Sequence, residues 1–346
     1  MAEFVLPAEW TACDGVLLTW PHAATDWAPQ LAEVEAVFVQ IAQAILAIPA
    51  TALVVVCHDA SIQARVNQLL AQPEQLYTAI IANNDSWARD HGPISVYDTA
   101  GQLHWHDFTF TAWGDKFEAA LDNAINAALF KQSFIAASSC NTNPLVLEGG
   151  AIESDGQGSL LVTRHCLLNP NRNPGMSQSQ LEAALSRCFG VDRFLWLDHG
   201  YLAGDDTDAH IDTLARFTPN GGIVHVACDD QSDEHYAPLL AMAAQLKSFR
   251  RHDGHTYQLH ALPWPKAKYA GDERLPASYA NYLIINQRIL VPTYDDVADA
   301  RALDVIQQAY PGFTVIGIPC LPLIAQYGSL HCVTMQLPRG TLQVHR

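Results

Sequence analysis

Residues 51–57, Thr-Ala-Leu-Val-Val-Val-Cys, constrain the fold of this chain more than any other stretch. The run is continuous, apolar and rich in valine, the pattern of a strand buried on both faces. Such a strand needs neighbours on either side and cover above and below, and the flanking sequence offers both. Gly15-Val16-Leu17-Leu18-Thr19-Trp20-Pro21-His22 reads as a short strand closed by proline. Pro29 then starts a helical pattern with Leu31, Val34, Val37, Phe38 and Ile41 spaced for one face. A second helix is predicted over about residues 61–72, followed by a strand from Ile94 to Tyr97.

The same grammar recurs to the end of the chain. A helix is predicted near 116–130. Asn143-Pro144 opens a strand ending in Glu148-Gly149-Gly150, and Ser159–Thr163 is its expected partner across an Asp155-Gly156 turn. Helices are expected near 177–188, 233–248 and 295–309, with strands at Gly222–Cys228, Tyr282–Asn286, Arg288–Pro292 and Phe313–Ile318. Strand and helix alternate throughout, which defines an α/β protein. The rhythm suggests about five similar units of roughly seventy residues, a propeller-like period. No linker or low-complexity run interrupts it, so residues 1–346 read as one domain. No GxGxxG follows a strand and no Walker motif is present, which removes dinucleotide and P-loop functions.

The formal net charge of −17 argues against nucleic acid as a partner, since that binding rests on neutralising phosphates with Lys and Arg. The N-terminal residues Met1–Leu6 lack the basic region and long apolar run of a signal peptide, and no apolar run is long enough to span a bilayer. The eight cysteines are scattered without a CxxC pair, which disfavours a zinc ribbon or finger. The expectation is a cytoplasmic protein with reduced thiols that works without a membrane.

Three stretches carry chemistry. Tyr327-Gly328-Ser329-Leu330-His331-Cys332-Val333-Thr334-Met335 reads as extended. Neighbouring side chains of a strand face opposite ways, so His331 is not expected to serve Cys332. Asp206-Thr207-Asp208-Ala209-His210-Ile211-Asp212 packs three acids and a histidine into seven residues, with His210 and Asp212 on one face if the segment is extended. Asn84-Asp85-Ser86-Trp87-Ala88-Arg89-Asp90-His91 sets an indole, an arginine and two carboxylates beside a Gly-Pro turn. Each piece has a bland reading: Cys332 and His210 as core, Asp85 and Asp90 as turn caps. In combination they differ, because buried carboxylates are costly unless paired, and this cluster needs a cation. One candidate is a metal held by His210, Asp212 and another acid. The other is a planar guanidinium gripped by two carboxylates, with a thiolate attacking its central carbon.

The second reading is also the one a family resemblance implies. Pro-Ala-Glu-Trp at 7–10, Leu-Thr-Trp-Pro at 18–21, Asn-Asp-Ser-Trp-Ala-Arg-Asp at 84–90, Leu-Glu-Gly-Gly at 147–150, His-Ile-Asp at 210–212 and His-Cys-Val-Thr at 331–334 resemble, in the same order, the agmatine deiminases and bacterial-type peptidylarginine deiminases. These belong to the guanidino-group-modifying (pentein) superfamily. The resemblance implies a five-bladed α/β propeller forming a single deiminase domain, with an acidic central pocket. Matched motif by motif, Cys332 takes the place of the nucleophile and His210 that of the general acid/base. Asp90 and Asp212 match the guanidinium-gripping carboxylates, and Trp87, Glu148 and Asp206 fall where substrate contacts are expected. The partner is then a small guanidino compound, and the reaction needs no metal or organic cofactor. A homodimer stays open.

The loop before the nucleophile departs from the family pattern. Tyr-Gly-Ser-Leu-His-Cys stands at 327–332 where well-known agmatine deiminases resemble Gly-Gly-Gly-Asn-Ile-His-Cys, and Ala-His-Ile-Asp-Thr stands at 209–213 in place of Gly-His-Val-Asp-Asn. Deimination of agmatine is therefore the first expectation, with arginine, peptidyl-arginine or another alkylguanidine as alternatives. The readings from other classes are a non-catalytic propeller binding a basic ligand in its acidic cavity, and a metallohydrolase.

Overall fold

The computed structural model describes residues 3–343. The valine-rich run is strand Ala52–Cys57, and all six of its residues are buried. It pairs in parallel with Cys13–Thr19 on one side and Leu76–Ile80 on the other. Helix Leu31–Leu46 covers this sheet through Val34, Val37, Phe38, Ile41, Ala42 and Ile45, the i, i+3, i+4, i+7 stripe expected from the sequence. Helix Ala60–Leu69 starts at Asp59, whose carboxylate accepts hydrogen bonds from the amides of Ser61 and Ile62.

One connection pattern appears in five sheets. In each, an antiparallel pair is followed by a third strand parallel to the middle one. The triplets are Ile94–Asp98, Leu103–Thr109, Ser139–Val146; Ile152–Ser154, Ser159–Thr163, Arg193–Leu197; Ala215–Phe217, Gly222–Val226, Gln258–Leu262; and Leu283–Ile285, Arg288–Thr293, Thr314–Pro319. The fifth joins the two ends of the chain: Thr334–Pro338 pairs antiparallel with Cys13–Thr19, which pairs parallel with Ala52–Cys57. A parallel third strand cannot be reached by a tight turn, so each triplet needs a crossover. Most crossovers are helical, as in Gln178–Phe189, Tyr236–Ser248 and Asp299–Ala309. The architecture is α/β. Among the described residues, no helix is long and apolar enough to cross a membrane.

Four local expectations are corrected. The strand before Glu148 is Ser139–Val146 and lies in another sheet; the partner of Ser159–Thr163 is Ile152–Ser154, because Gly149–Ala151 forms a helical turn that breaks the run. The helix expected near 116–130 is reduced to the short pieces Asp122–Ala124 and Ile125–Leu129. Here a side chain takes backbone partners that a helix would use: Asn84 Oδ1 accepts from the Leu121 amide at 2.8 Å and from the Asp122 amide at 3.4 Å. The Cys332 segment is not extended, since residues 330–333 form a turn and the strand begins at Thr334. Nor is the His210 segment extended: Ile211–Thr213 is a single helical turn.

The core cover gives a stability prediction. Phe38→Ala, at a fully buried side chain, should lower unfolding free energy by about 3–5 kcal/mol, while Val297→Ala, at an 83 % exposed one, should stay within about 0.5 kcal/mol. Denaturant titration of both variants checks this.

Candidate active site

The site is built around an α-carbon that cannot carry a side chain. A Cβ placed on Gly150 would lie 2.6 Å from His210 Nδ1, 2.8 Å from Asp90 Oδ1 and 3.1 Å from Asp212 Oδ2. Three side chains from two distant stretches of the sequence thus converge on one point, and only glycine leaves them room. The Gly150 amide also donates to Asp90 Oδ1 at 3.0 Å.

Asp90 stands on the one-turn helix Ala88–His91. Its other oxygen accepts from the Trp113 indole N–H at 3.0 Å. The preceding residue locks this helix to the nucleophile turn, because the Arg89 amide donates to the Cys332 carbonyl at 3.0 Å. Burial pushes the Asp90 carboxyl up to about 6, against the pull of His210 and with the push of Asp212.

His210 is positioned by its backbone. Its amide donates to Thr207 Oγ1 at 3.2 Å, and Thr163 Oγ1 donates to the Ala209 carbonyl at 2.7 Å. The two residues before it, Asp208 and Ala209, both hold φ of 66°. Consecutive left-handed residues that are not glycine cost on the order of 1–2 kcal/mol each and persist where the surroundings enforce them. Here Arg172 enforces them. Its guanidinium bonds Asp208, donates to the Thr207 carbonyl at 2.9 Å and reaches Glu148 Oε1 at 2.8 Å. The second Glu148 oxygen faces His210 Nε2 at 3.8 Å, and Asp90 Oδ1 faces His210 Nδ1 at 3.7 Å. Burial works against a charged His210 ring, but Asp90 and Cys166 outweigh it and hold the ring well above its ordinary value. Burial likewise acts to raise Glu148, while His210 and Arg172 outweigh it and keep the carboxyl below its usual range.

Cys332 is 5 % exposed. Its thiol donates to Asn281 Oδ1 at 3.4 Å and lies 3.9 Å from Asp212 Oδ2. Asn281 Oδ1 also accepts from the amides of His331 and Cys332, at 3.0 and 3.3 Å, which fixes the turn. Burial, Asp212 and Asp90 together push the thiol well above its ordinary value. Burial acts to raise Asp212 too, but the hydrogen bond and charge of His331 prevail and keep that carboxyl low.

These groups border a cavity of about 390 Å³. Trp87, Asp90, Asp206 and Cys332 line it, as do Asp26 and Asp85. Glu148, His210 and Asp212 stand in the wall behind, each at most 1 % exposed. All seven residues expected from the sequence therefore meet in one region. Buried polar atoms there remain without hydrogen-bond partners: Asp212 Oδ1, Glu148 Oε2 and both His210 ring nitrogens. Acceptor oxygens in a dry wall suit a ligand rich in N–H donors. Among the described residues one set of atoms could instead hold a metal, those of Glu148, Cys166 and His210, which lie within 4.8 Å of one another. The expected pairing of His210 with Asp212 does not form such a set among the described residues.

The sequence did not point to Asn281, Arg172, Trp113, Glu9 or a site role for His331. Glu9 belongs to the Pro-Ala-Glu-Trp motif and His331 precedes Cys332, so both carried a signal; the first three carried none.

Comparison with known proteins places the chain among hydrolases acting on guanidino C–N bonds. The chain belongs to the family of Porphyromonas-type peptidyl-arginine deiminases, whose profile matches residues 5–338. It is similar in structure to a Porphyromonas gingivalis protein provisionally named an arginine deiminase, with a TM-score of 0.92 at 49% identity over 99% of this chain and 100% of that one. A substrate-bound agmatine deiminase variant from C. jejuni superposes with a TM-score of 0.90 at 35% identity, covering 98% of this chain and 97% of the other. A Yersinia pseudotuberculosis protein provisionally named an agmatine deiminase is 32% identical over 97% of this chain and 95% of its own length.

Asp206 gives a prediction of its own. Burial and the neighbouring Asp205 push its carboxyl up to about 7, so at higher pH the folded state holds an unfavourable charge. Asp206→Asn should stabilise the protein by about 1–3 kcal/mol at pH 8, with the gain gone below about pH 3, where the acid is protonated folded and unfolded alike. Unfolding at the two pH values measures it.

Proposed function

We propose that this chain is a cysteine-dependent deiminase that hydrolyses the guanidinium of a small cation, with agmatine giving N-carbamoylputrescine and ammonia as the first choice of substrate. The observation that carries the reading is the convergence of Asp90, His210 and Asp212 on Gly150, with the Cys332 thiol 3.9 Å from Asp212.

In this reading Asp90 and Asp212 grip the guanidinium through N–H donors and hold its carbon before the sulfur. Glu148 accepts a further N–H, and the Trp87 indole lines the approach. Binding of the cation offsets the charges that keep Cys332 protonated, and the thiol proton leaves to solvent. The thiolate adds to the guanidinium carbon, forming a C–S bond and a tetrahedral adduct. His210, already protonated, gives its proton to one nitrogen; that C–N bond breaks and ammonia departs. A thiouronium remains on Cys332. Water, losing a proton to His210, adds to the same carbon, and the C–S bond breaks to release the ureido product. The sum is guanidinium plus water giving urea derivative plus ammonium, with no redox partner.

Agmatine leads because Asp26, Asp85 and Asp206 line the cavity, which favours a second cationic group and disfavours the carboxylate of free arginine. The agmatine deiminase relatives point the same way; the family name and the P. gingivalis relative keep peptidyl-arginine and arginine as rivals. We read the five repeated sheets as a five-bladed propeller forming one domain, supported by the pairing of the chain's two ends. Eight free cysteines suit a reducing compartment such as the cytoplasm.

A turnover screen of agmatine, arginine and an arginine peptide, with the ureido product identified by mass, tests the proposal. Agmatine should turn over fastest, and Cys332→Ser should lose at least about 10⁴-fold in kcat. Equal inertness of both proteins on all three substrates would favour a binding role. Because Asp90 titrates at about 6, kcat/KM should fall as pH drops through that value. A flat acid limb down to pH 5 would remove Asp90 from the clamp.

A further inference from the structure

His331 sits beneath Asp212 in a buried network that the reaction above does not use. Its Nδ1 lies 2.7 Å from Asp212 Oδ2, and its Nε2 lies 2.9 and 3.1 Å from the two oxygens of Glu9. The ring is 1 % exposed. We propose that His331 is a positioning residue for the nucleophile, a buried imidazolium that bridges Glu9 and Asp212 and thereby favours ionisation of Cys332.

Proton counting carries the inference. An ionised carboxylate only accepts hydrogen bonds, and a neutral imidazole donates only one. Two ring nitrogens facing two carboxylates at these distances need two protons. The second sits on the ring, because the other groups around Glu9 are already donors. Arg216 bonds one Glu9 oxygen, Arg89 reaches the other at 3.2 Å, and the Gln336 amide donates at 2.9 Å. Glu9 is therefore better placed to stay ionised than to hold a proton. Arg216 is in turn held by Glu153 at 2.7 Å and by the carbonyl of Tyr282 at 2.9 Å. Burial, then Arg216 and Arg89, pull the His331 ring below its ordinary value, while Glu9 and Asp212 favour its charge. The inference rests instead on the contacts, two ring nitrogens each within 3.1 Å of a carboxylate oxygen.

Two consequences follow for the reaction. The oxygen of Asp212 that takes the His331 proton is the one 3.9 Å from the Cys332 sulfur, so the imidazolium shields the thiolate from that negative charge. With Oδ2 occupied, Asp212 presents Oδ1, which is buried and has no partner in the protein, to an N–H of the cation. His331 touches neither, and acts through Asp212.

The inference rests on Cys332 being the nucleophile proposed above, but its test reads a ring charge and a thiol ionisation, neither of which requires turnover. In full-length protein with ¹⁵N-labelled histidine, the His331 ring, assigned by its loss in His331→Gln, should carry protons on both nitrogens at pH 7.5. That is about one unit above the ordinary histidine value. A single ring N–H at that pH would overturn the proposal. The pH dependence of Cys332 alkylation by iodoacetamide, followed by peptide mass, should move up by about one unit in His331→Gln, a roughly tenfold slower rate below the midpoint. An unmoved midpoint in a folded variant would also overturn it. Should His331→Gln not fold, Glu9→Gln replaces it: removal of the Nε2 acceptor's charge should leave His331 with one ring proton, and a ring still doubly protonated would contradict the assignment.

Discussion

Asp90, Glu148 and Asp212 are carboxylates taken almost wholly out of water within one cluster, and the rest of the site is organised by what that costs. A buried charge without a partner is worth several kcal/mol of destabilisation, so each acid is tied to a donor. Arg172 holds Glu148, His331 holds Asp212, and the Trp113 indole with the Gly150 amide holds Asp90. These ties are incomplete in one direction only. Asp212 Oδ1 and Glu148 Oε2 are left buried without a hydrogen-bond partner, in the wall behind the cavity that Asp90 and Cys332 line. The protein thus supplies fixed partners for one side of each carboxylate and leaves the other side to a cationic ligand. That division is electrostatic preorganisation: the dipoles and charges are in place before the substrate arrives.

The fold serves this by bringing distant segments to one point. Residues 90, 150, 210 and 332 lie at the ends of, or between, different sheets, where the chain is free to turn. Turns carry the strained positions too. Ala112 and Trp113 hold φ of 45° and 61°, and Asp208 and Ala209 precede His210 in left-handed backbone. Strain of this kind beside the reacting groups is enforced by Arg172 and Asn171, whose side chains bond this backbone and Asp208.

Much of this was legible in the sequence, and the reason is local. Ala52–Cys57 and Leu31–Leu46 announce themselves by composition and period, and the alternation of strand and helix follows. The candidate residues stood out because His210 and Asp212, or Trp87 and Asp90, sit within a few residues of each other. What could not be read is held by contacts across the chain. Asn281 reaches Cys332 over 51 residues, and Glu9 reaches His331 over 322. Strand alternation gave a wrong geometry for His331 and Cys332, because Asn281 binds both amides and bends the segment into a turn. In that turn neighbouring side chains meet one carboxylate oxygen instead of opposite faces. The missing helix near 116–130 has the same origin, in the distant Asn84 side chain that takes the Leu121 and Asp122 amides.

The central claim is that one sulfur forms a bond to the guanidinium carbon while two carboxylates hold the cation. Acid quenching of the enzyme during steady turnover of agmatine, followed by peptide mass mapping, examines that bond directly. The account predicts a thiouronium adduct on the peptide containing Cys332 and on none of the peptides carrying the other seven cysteines. Full turnover with no adduct on that peptide, or an adduct on a different cysteine, would contradict it.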